Sequence, residues 1–189
     1  MAADGGEGMI IFVYLGGEQE APFDVTHVII HKSVKTIPAR AFNRRRQVVS
    51  VETHDGVEKV EGCAFHECIS LRGIKLPGVI EIEQYAFYNC TALTDVEFGN
   101  KLETIDGFAF SNCRSLRNIK ITSVRAIKYY AFSNCEQLTD VELPDVERIG
   151  HDAFDGCSRL RRIVIPLKNN LFPLDAYAND ALNLILASI

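Results

Sequence analysis

The chain has 189 residues, of which 47% are hydrophobic and 24% charged, with a net charge of -5. That is the composition of one ordinary folded domain. The acidic balance disfavours a general binder of nucleic acid or anionic membrane, whose contacts need an excess of Lys and Arg.

The first residues, Met1-Ala2-Ala3-Asp4-Gly5-Gly6-Glu7, are acidic and glycine-rich, without the basic start and apolar run of a signal peptide. Met9 to Leu15 is apolar and rich in β-formers, and Gly16-Gly17 can turn the chain back. Residues 1–24 are expected to form a tail and a β cap over the first coil of a repeat that begins near Val25. Neither Met9 to Leu15 nor Leu182 to Ile189 reaches the roughly 20 apolar residues of a membrane-spanning helix. The expected compartment is the cytoplasm or the nucleus.

From Val25 onward one phrase recurs: Ala41-Phe42, Ala64-Phe65, Ala86-Phe87, Ala109-Phe110, Ala131-Phe132 and Ala153-Phe154, spaced 23, 22, 23, 22 and 22 residues apart. A period of that length means stacked coils. No coil buries its apolar face alone, so its neighbours must cover it. Other columns keep step. Apolar residues stand seven and four positions before each Ala, as in Val79 and Ile82, or Leu102 and Ile105. Cys68, Cys90, Cys113, Cys135 and Cys157 follow the Phe by three, with Arg45 in the first coil. An apolar triplet comes next, for example Leu71, Ile74 and Leu76.

The [IV]-x-[LIF] part of that triplet alternates as a strand with one buried face does. Turn residues follow it (Pro77-Gly78, Gly99-Asn100, Pro144-Asp145), and every switch between 22 and 23 residues falls there. The A-F-x-x-C segment is too short for a full helix and is expected to make one or two helical turns on the outer side. The coils run from 25 to 166. Residues 167–189 are expected to form a degenerate last coil and C-terminal cap.

The unit A-F-x-x-C-x-x-L-x-x-[IV]-x-[LIF], a turn, then V-x-x-I-x-x-x-A-F resembles the BspA-type leucine-rich repeat over about residues 25 to 166. It departs at Arg45 and after Pro166, where Ala176-Tyr177 lacks the following Cys. The resemblance implies a repeat solenoid: a leucine-rich-repeat horseshoe with a parallel β-sheet on its concave face and short strands or helical turns on the convex side. It also implies protein binding, sometimes on cell surfaces, and carries no catalytic residues.

Five of the six Cys share one repeat column and Cys63 lies off it. They read as buried structural thiols rather than disulfides or metal ligands, because free Cys packs as a small hydrophobe. The sequon Asn89-Cys90-Thr91 matters only in a secreted chain. His27, His31 and His54 fall near one another in the repeat alignment, but without a repeating carboxylate they read as turn residues and no metal is expected. Arg44-Arg45-Arg46 reads as solvated surface.

Two outward patterns are candidates for binding. Between the buried strand residues stand Glu52, Lys75, Glu97, Lys120 and Glu142, alternating in sign at each coil. Beside them lie Arg72, Arg117 and Arg161, and then Asp95, Asp140 and Arg162. Alternation holds strand register and equally presents a striped face to a partner. The second pattern is Tyr85, Phe108 and Tyr130, with Tyr88 and Tyr129 nearby, read either as interface aromatics or as packing between coils.

No nucleophile with a base, phosphate-cradling loop or carboxylate pair breaks the repeat. The chain is expected to be a non-catalytic scaffold without cofactor, a monomer or part of a larger assembly. It would bind another protein through Arg72, Lys75, Asp95, Glu97, Arg117, Lys120, Asp140, Glu142, Arg161 and Arg162, with no nucleic-acid partner. The alternative is a secreted or surface adhesin that binds glycans.

Overall fold

The computed structural model describes residues 8–166. The expected last coil and C-terminal cap over 167–189, and the first seven residues of the expected N-terminal tail, lie outside the described residues. Fourteen short strands follow in chain order. They are β1 (Ile11–Tyr14), β2 (His27–Ile30), β3 (Thr36–Ile37), β4 (Ser50–Glu52), β5 (Lys59–Val60), β6 (Gly73–Leu76) and β7 (Glu81–Ile82). The second half holds β8 (Asp95–Phe98), β9 (Thr104–Ile105), β10 (Asn118–Lys120), β11 (Ala126–Ile127), β12 (Asp140–Glu142), β13 (Arg148–Ile149) and β14 (Arg162–Val164).

The chain is a parallel-strand β-solenoid. The [IV]-x-[LIF] segments form a first sheet in two blocks, β1-β2-β4-β6-β8 and β10-β12-β14. The V-x-x-I segments build a second, continuous sheet, β13-β11-β9-β7-β5-β3. Every pairing is parallel and in repeat register, such as Ile74 with Val96 and Val60 with Ile82. Between strands of the second sheet and the next coil's strand of the first, the A-F-x-x-C segments stack as a column of turns.

No helix occurs among the described residues, which corrects the expectation of helical turns on the outer side. The reason is the backbone at two positions of each coil. The residue before the Ala (Cys63, Tyr85, Phe108, Tyr130) and the residue before the Cys (Glu67, Asn89, Asn112, Asn134) have φ between 52° and 62°. Left-handed residues interrupt a right-handed helix. The segment becomes successive i→i+3 turns instead, with Ala86 N bonded to Glu83 O, Tyr88 N to Tyr85 O and Cys90 N to Phe87 O. The alternate amides reach the next coil: Phe87 N donates to Ala109 O at 2.7 Å and Asn89 N to Ser111 O at 2.9 Å. Each coil's turn column thus bonds to its neighbour as a strand would.

The core is one continuous stack. Phe42, Phe65, Phe87, Phe110, Phe132 and Phe154 are fully buried. Successive rings lie 5.0 to 5.5 Å apart and within 11° of parallel. Tyr14 closes the N-terminal end, edge-on to Phe42 at 5.4 Å. Each column Cys is buried and donates its thiol hydrogen to the preceding coil's Phe carbonyl, as Cys90 does to Phe65 O at 3.1 Å. Arg45, standing where that Cys is missing, donates Nε to Ala21 O and lies over the Phe23 ring at 4.1 Å. Two serines are also buried in the column, and their hydroxyls satisfy each other: Ser111 Oγ to Ser133 Oγ is 2.7 Å. At the turns the coils touch backbone to backbone. A Cβ on Gly99 would stand 1.9 Å from Pro77 O, so only glycine fits there.

Candidate functional site

The alternation within the first sheet puts every second side chain inside and leaves its partner outside. In β6, Ile74 and Leu76 are buried while Lys75 points to solvent. The register of adjacent coils then sets the outward residues in rows. One row runs Val13, Ile29 and Glu52, and continues in Lys75 and Glu97. A second runs Ile11, His27, Ser50, Gly73 and Asp95. Beyond the break, Asn118, Asp140 and Arg162 stand side by side, as do Lys120 and Glu142.

Opposite charges meet across strands at three points. Lys75 Nζ lies 2.9 Å from Glu97, Lys120 Nζ 3.2 Å from Glu142, and Arg162 Nη1 2.9 Å from Glu142. The Lys120 ammonium, joined by the Arg162 guanidinium, holds the Glu142 carboxyl below the usual carboxylate range. Glu97 and Lys120 face each other across the interruption between β8 and β10 and make no ion pair. Arg72, Arg117 and Arg161 are exposed and carry no ion pair among the described residues, while Asp140 is half-buried and accepts from Thr139 Oγ1 at 2.7 Å. Lys75, Asp95, Glu97, Lys120, Asp140, Glu142 and Arg162 stand in these outward rows, whereas Arg72, Arg117 and Arg161 are exposed just before their strands, in step with the buried residues, so seven of the ten residues named from the sequence lie in the rows of this face. Its N-terminal end is apolar: Ile11 is 50% and Val13 43% exposed. The place of Ile11 and Val13 on it follows only from the pairing of β1 with β2.

The aromatic row packs between coils. Tyr85 stacks on Phe108 and Phe108 on Tyr130, each at 5.0 Å. Tyr129 stacks on His151, and its hydroxyl accepts from Gln84 Nε2 at 2.8 Å two coils back. A Cβ on Gly107 would stand 2.6 Å from the Tyr129 ring, so this glycine makes the room for it. These rings brace the turn column.

The histidines do not converge. His54 Nε2 meets the His31 carbonyl at 3.1 Å, the His31 ring turns to Ser33, and that of His27 to Thr26. The basic run is partly spoken for. Arg44 and Arg46 flank Glu67 at 3.6 and 2.6 Å, and Arg46 above all holds that carboxyl below its usual range. All six cysteines are free thiols. Burial pushes Cys68 and Cys113 up to about 12 and raises Cys90 and Cys135 well above the ordinary thiol value. Such thiols are inert. Ion pairs on the second sheet were not foreseen: Lys59 bridges Glu81 and Glu83, and Lys128 meets Asp106. The sequence signal was present, since those residues repeat at one-coil spacing.

No described helix is long and apolar enough to cross a membrane. Three solved structures share the fold. A leucine-rich repeat protein from Eubacterium ventriosum is 24% identical with a TM-score of 0.73, over 84% of this chain and 44% of that one. A leucine-rich repeat protein from Bacteroides ovatus is 23% identical with a TM-score of 0.66, over 76% of this chain and 41% of that one. A leucine rich cell surface protein from Faecalibacterium prausnitzii is 23% identical with a TM-score of 0.61, over 79% of this chain and 54% of that one. The chain thus spans about half the length of these relatives. No curated protein matches it. The BspA type leucine rich repeat region matches in six copies over residues 21–123 and 63–184, and the chain belongs to that leucine-rich repeat family.

Proposed function

We propose that the chain is a non-catalytic scaffold that binds another protein across the outward face of its first sheet. The contact would involve Arg72, Lys75, Asp95, Glu97, Arg117, Lys120, Asp140, Glu142, Arg161 and Arg162. The observation that supports this reading is the set of outward rows on the first sheet. Buried positions on the same strands are all explained by the core, whereas the outward residues are varied, mostly exposed and only in part paired with each other. Parallel strands held by ladders on two sheets form a rigid platform, so a partner orders few side chains on this side. Changing Glu97 and Glu142 to Lys together and comparing proteins retained from source-cell extract tests it. A retained set that loses a specific protein, with the thermal melt preserved, supports the face; an unchanged set counts against it.

A second reading is favoured by one comparison, the cell surface protein among the structural relatives. In it the same face meets glycans or a surface protein outside the cell. Tracking the full-length protein by cell fractionation and surface labelling separates the two.

A further inference from the structure

The outward face is not uniformly filled. A cavity of about 400 Å³ opens over β4, β6 and β8, and its rim is formed by Ser50, Glu52, Gly73, Lys75, Asp95 and Glu97. Its centre is Gly73. This glycine is not required by the backbone, since its φ is not positive and a Cβ there would rest in ordinary contact, 3.5 Å from Asp95 O. Its coil neighbours in the row, Ser50 and Asp95, carry side chains. The absent side chain therefore does nothing for the fold and leaves an opening on the surface.

The chemistry around the opening is lopsided. Three carboxylates, Glu52, Asp95 and Glu97, surround it with one cation, Lys75, and that cation is held by Glu97 at 2.9 Å. Neither Glu52 nor Asp95 has an ion-pair partner among the described residues. The backbone of β4 and β6 at Val51 and Ile74 makes the floor, the side chains of both being buried in the core on the other side of the sheet. Two strands away in the direction of β1 the face becomes apolar at Ile29 and then Val13. Strands lie about 4.8 Å apart, so that distance is roughly 10–14 Å, or three to four residues of extended chain.

We propose that the cavity over Gly73 receives a Lys or Arg side chain from an extended segment of the partner protein, which sets an apolar residue three or four positions away on Ile29 and Val13. The stem lies along the backbone at Val51 and Ile74, and the cation donates to Glu52 and Asp95, offsetting one of their two charges. This deepens the proposed function and rests on its choice of face.

Panning a phage-displayed library of random short peptides on the chain tests it, with recovered peptides synthesised and titrated against variants. The expected peptides carry Lys or Arg with an apolar residue three or four positions off. Their affinity falls by about tenfold or more on Gly73→Leu, which fills the cavity. If Gly73→Leu melts early, Glu52→Gln with Asp95→Asn replaces it, with the same loss expected. Peptides without basic enrichment, peptides indifferent to these changes, or no recovered peptide overturn the proposal. Peptides indifferent to the cavity variants but lost on Glu97→Lys with Glu142→Lys overturn the cavity alone and leave the face standing. Peptides indifferent to both overturn the face as well.

Discussion

The rings of Phe110 and Phe132 lie 5.2 Å apart and 2° from parallel, each fully buried and each flanked by a further Phe on its other side. No other pair shows as plainly how the coils depend on one another, since each ring lies face to face with a ring of the next coil. Replacing Phe110 by Ala removes contacts from three coils at once. It should cost about 3–5 kcal/mol, a large part of a total typically near 5–15 kcal/mol. Urea unfolding of the two proteins measures the difference.

The thiol column gives a reactivity prediction. Cys68, Cys90, Cys113, Cys135 and Cys157 are buried and bonded to carbonyls, whereas Cys63 is half-exposed. Native protein should bind one equivalent of a thiol reagent rapidly, at Cys63. Urea-unfolded protein should bind six, the full count of the sequence.

The same thiols make the fold sensitive to alkali. Burial raises Cys68 and Cys113 to about 12 in the folded chain, against about 8.5 unfolded. Between those values the folded state holds protons that the unfolded state has lost. The stabilisation is therefore complete below about pH 8.5 and drains as pH rises towards 12, by about 1.4 kcal/mol per pH unit for each thiol. Melting temperature should fall across that range, and Cys113→Ala should flatten the fall.

Asn112 sits at φ 62°, a conformation β-branched residues resist. Asn112→Val should destabilise by about 1–3 kcal/mol, while Asn112→Gly should stay near neutral. Equal melts for the two variants would contradict the turn geometry.

Lys75 and Glu97 meet at 2.9 Å, but their side chains remain 71% and 66% exposed. A double-mutant cycle on stability should return a coupling below about 1 kcal/mol that fades with salt. The alternation contributes register more than stability.

The columns that stack were legible because burial repeats: Phe87 and Phe110, or Ile82 and Ile105, occupy the same environment and so the same residue type. Surface pairing was legible as far as Lys75 with Glu97 and Lys120 with Glu142; it failed at Glu52 with Lys75, where Lys75 turns to Glu97 instead, and at Glu97 with Lys120, where the ladder is interrupted. The turn column was misread as helical. Asn89, Asn112 and Asn134 did mark a left-handed residue before three of the five column Cys. Tyr85, Phe108 and Tyr130 gave no such sign, because stacking between coils, not local preference, holds aromatics in that conformation. Short strands were expected on the convex side and occur there as the second sheet, but at two residues each they are too short for any alternation to mark their bounds.

Amide hydrogen exchange on the native chain tests the coil-upon-coil account most directly. The amides of Phe65, Phe87 and Phe110, each bonded to the following coil's Ala carbonyl, should exchange slowest, with protection declining from the middle coils towards β1. Fast exchange at those three amides, beside protected residues at Met9 to Leu15, would contradict a single core built by stacking.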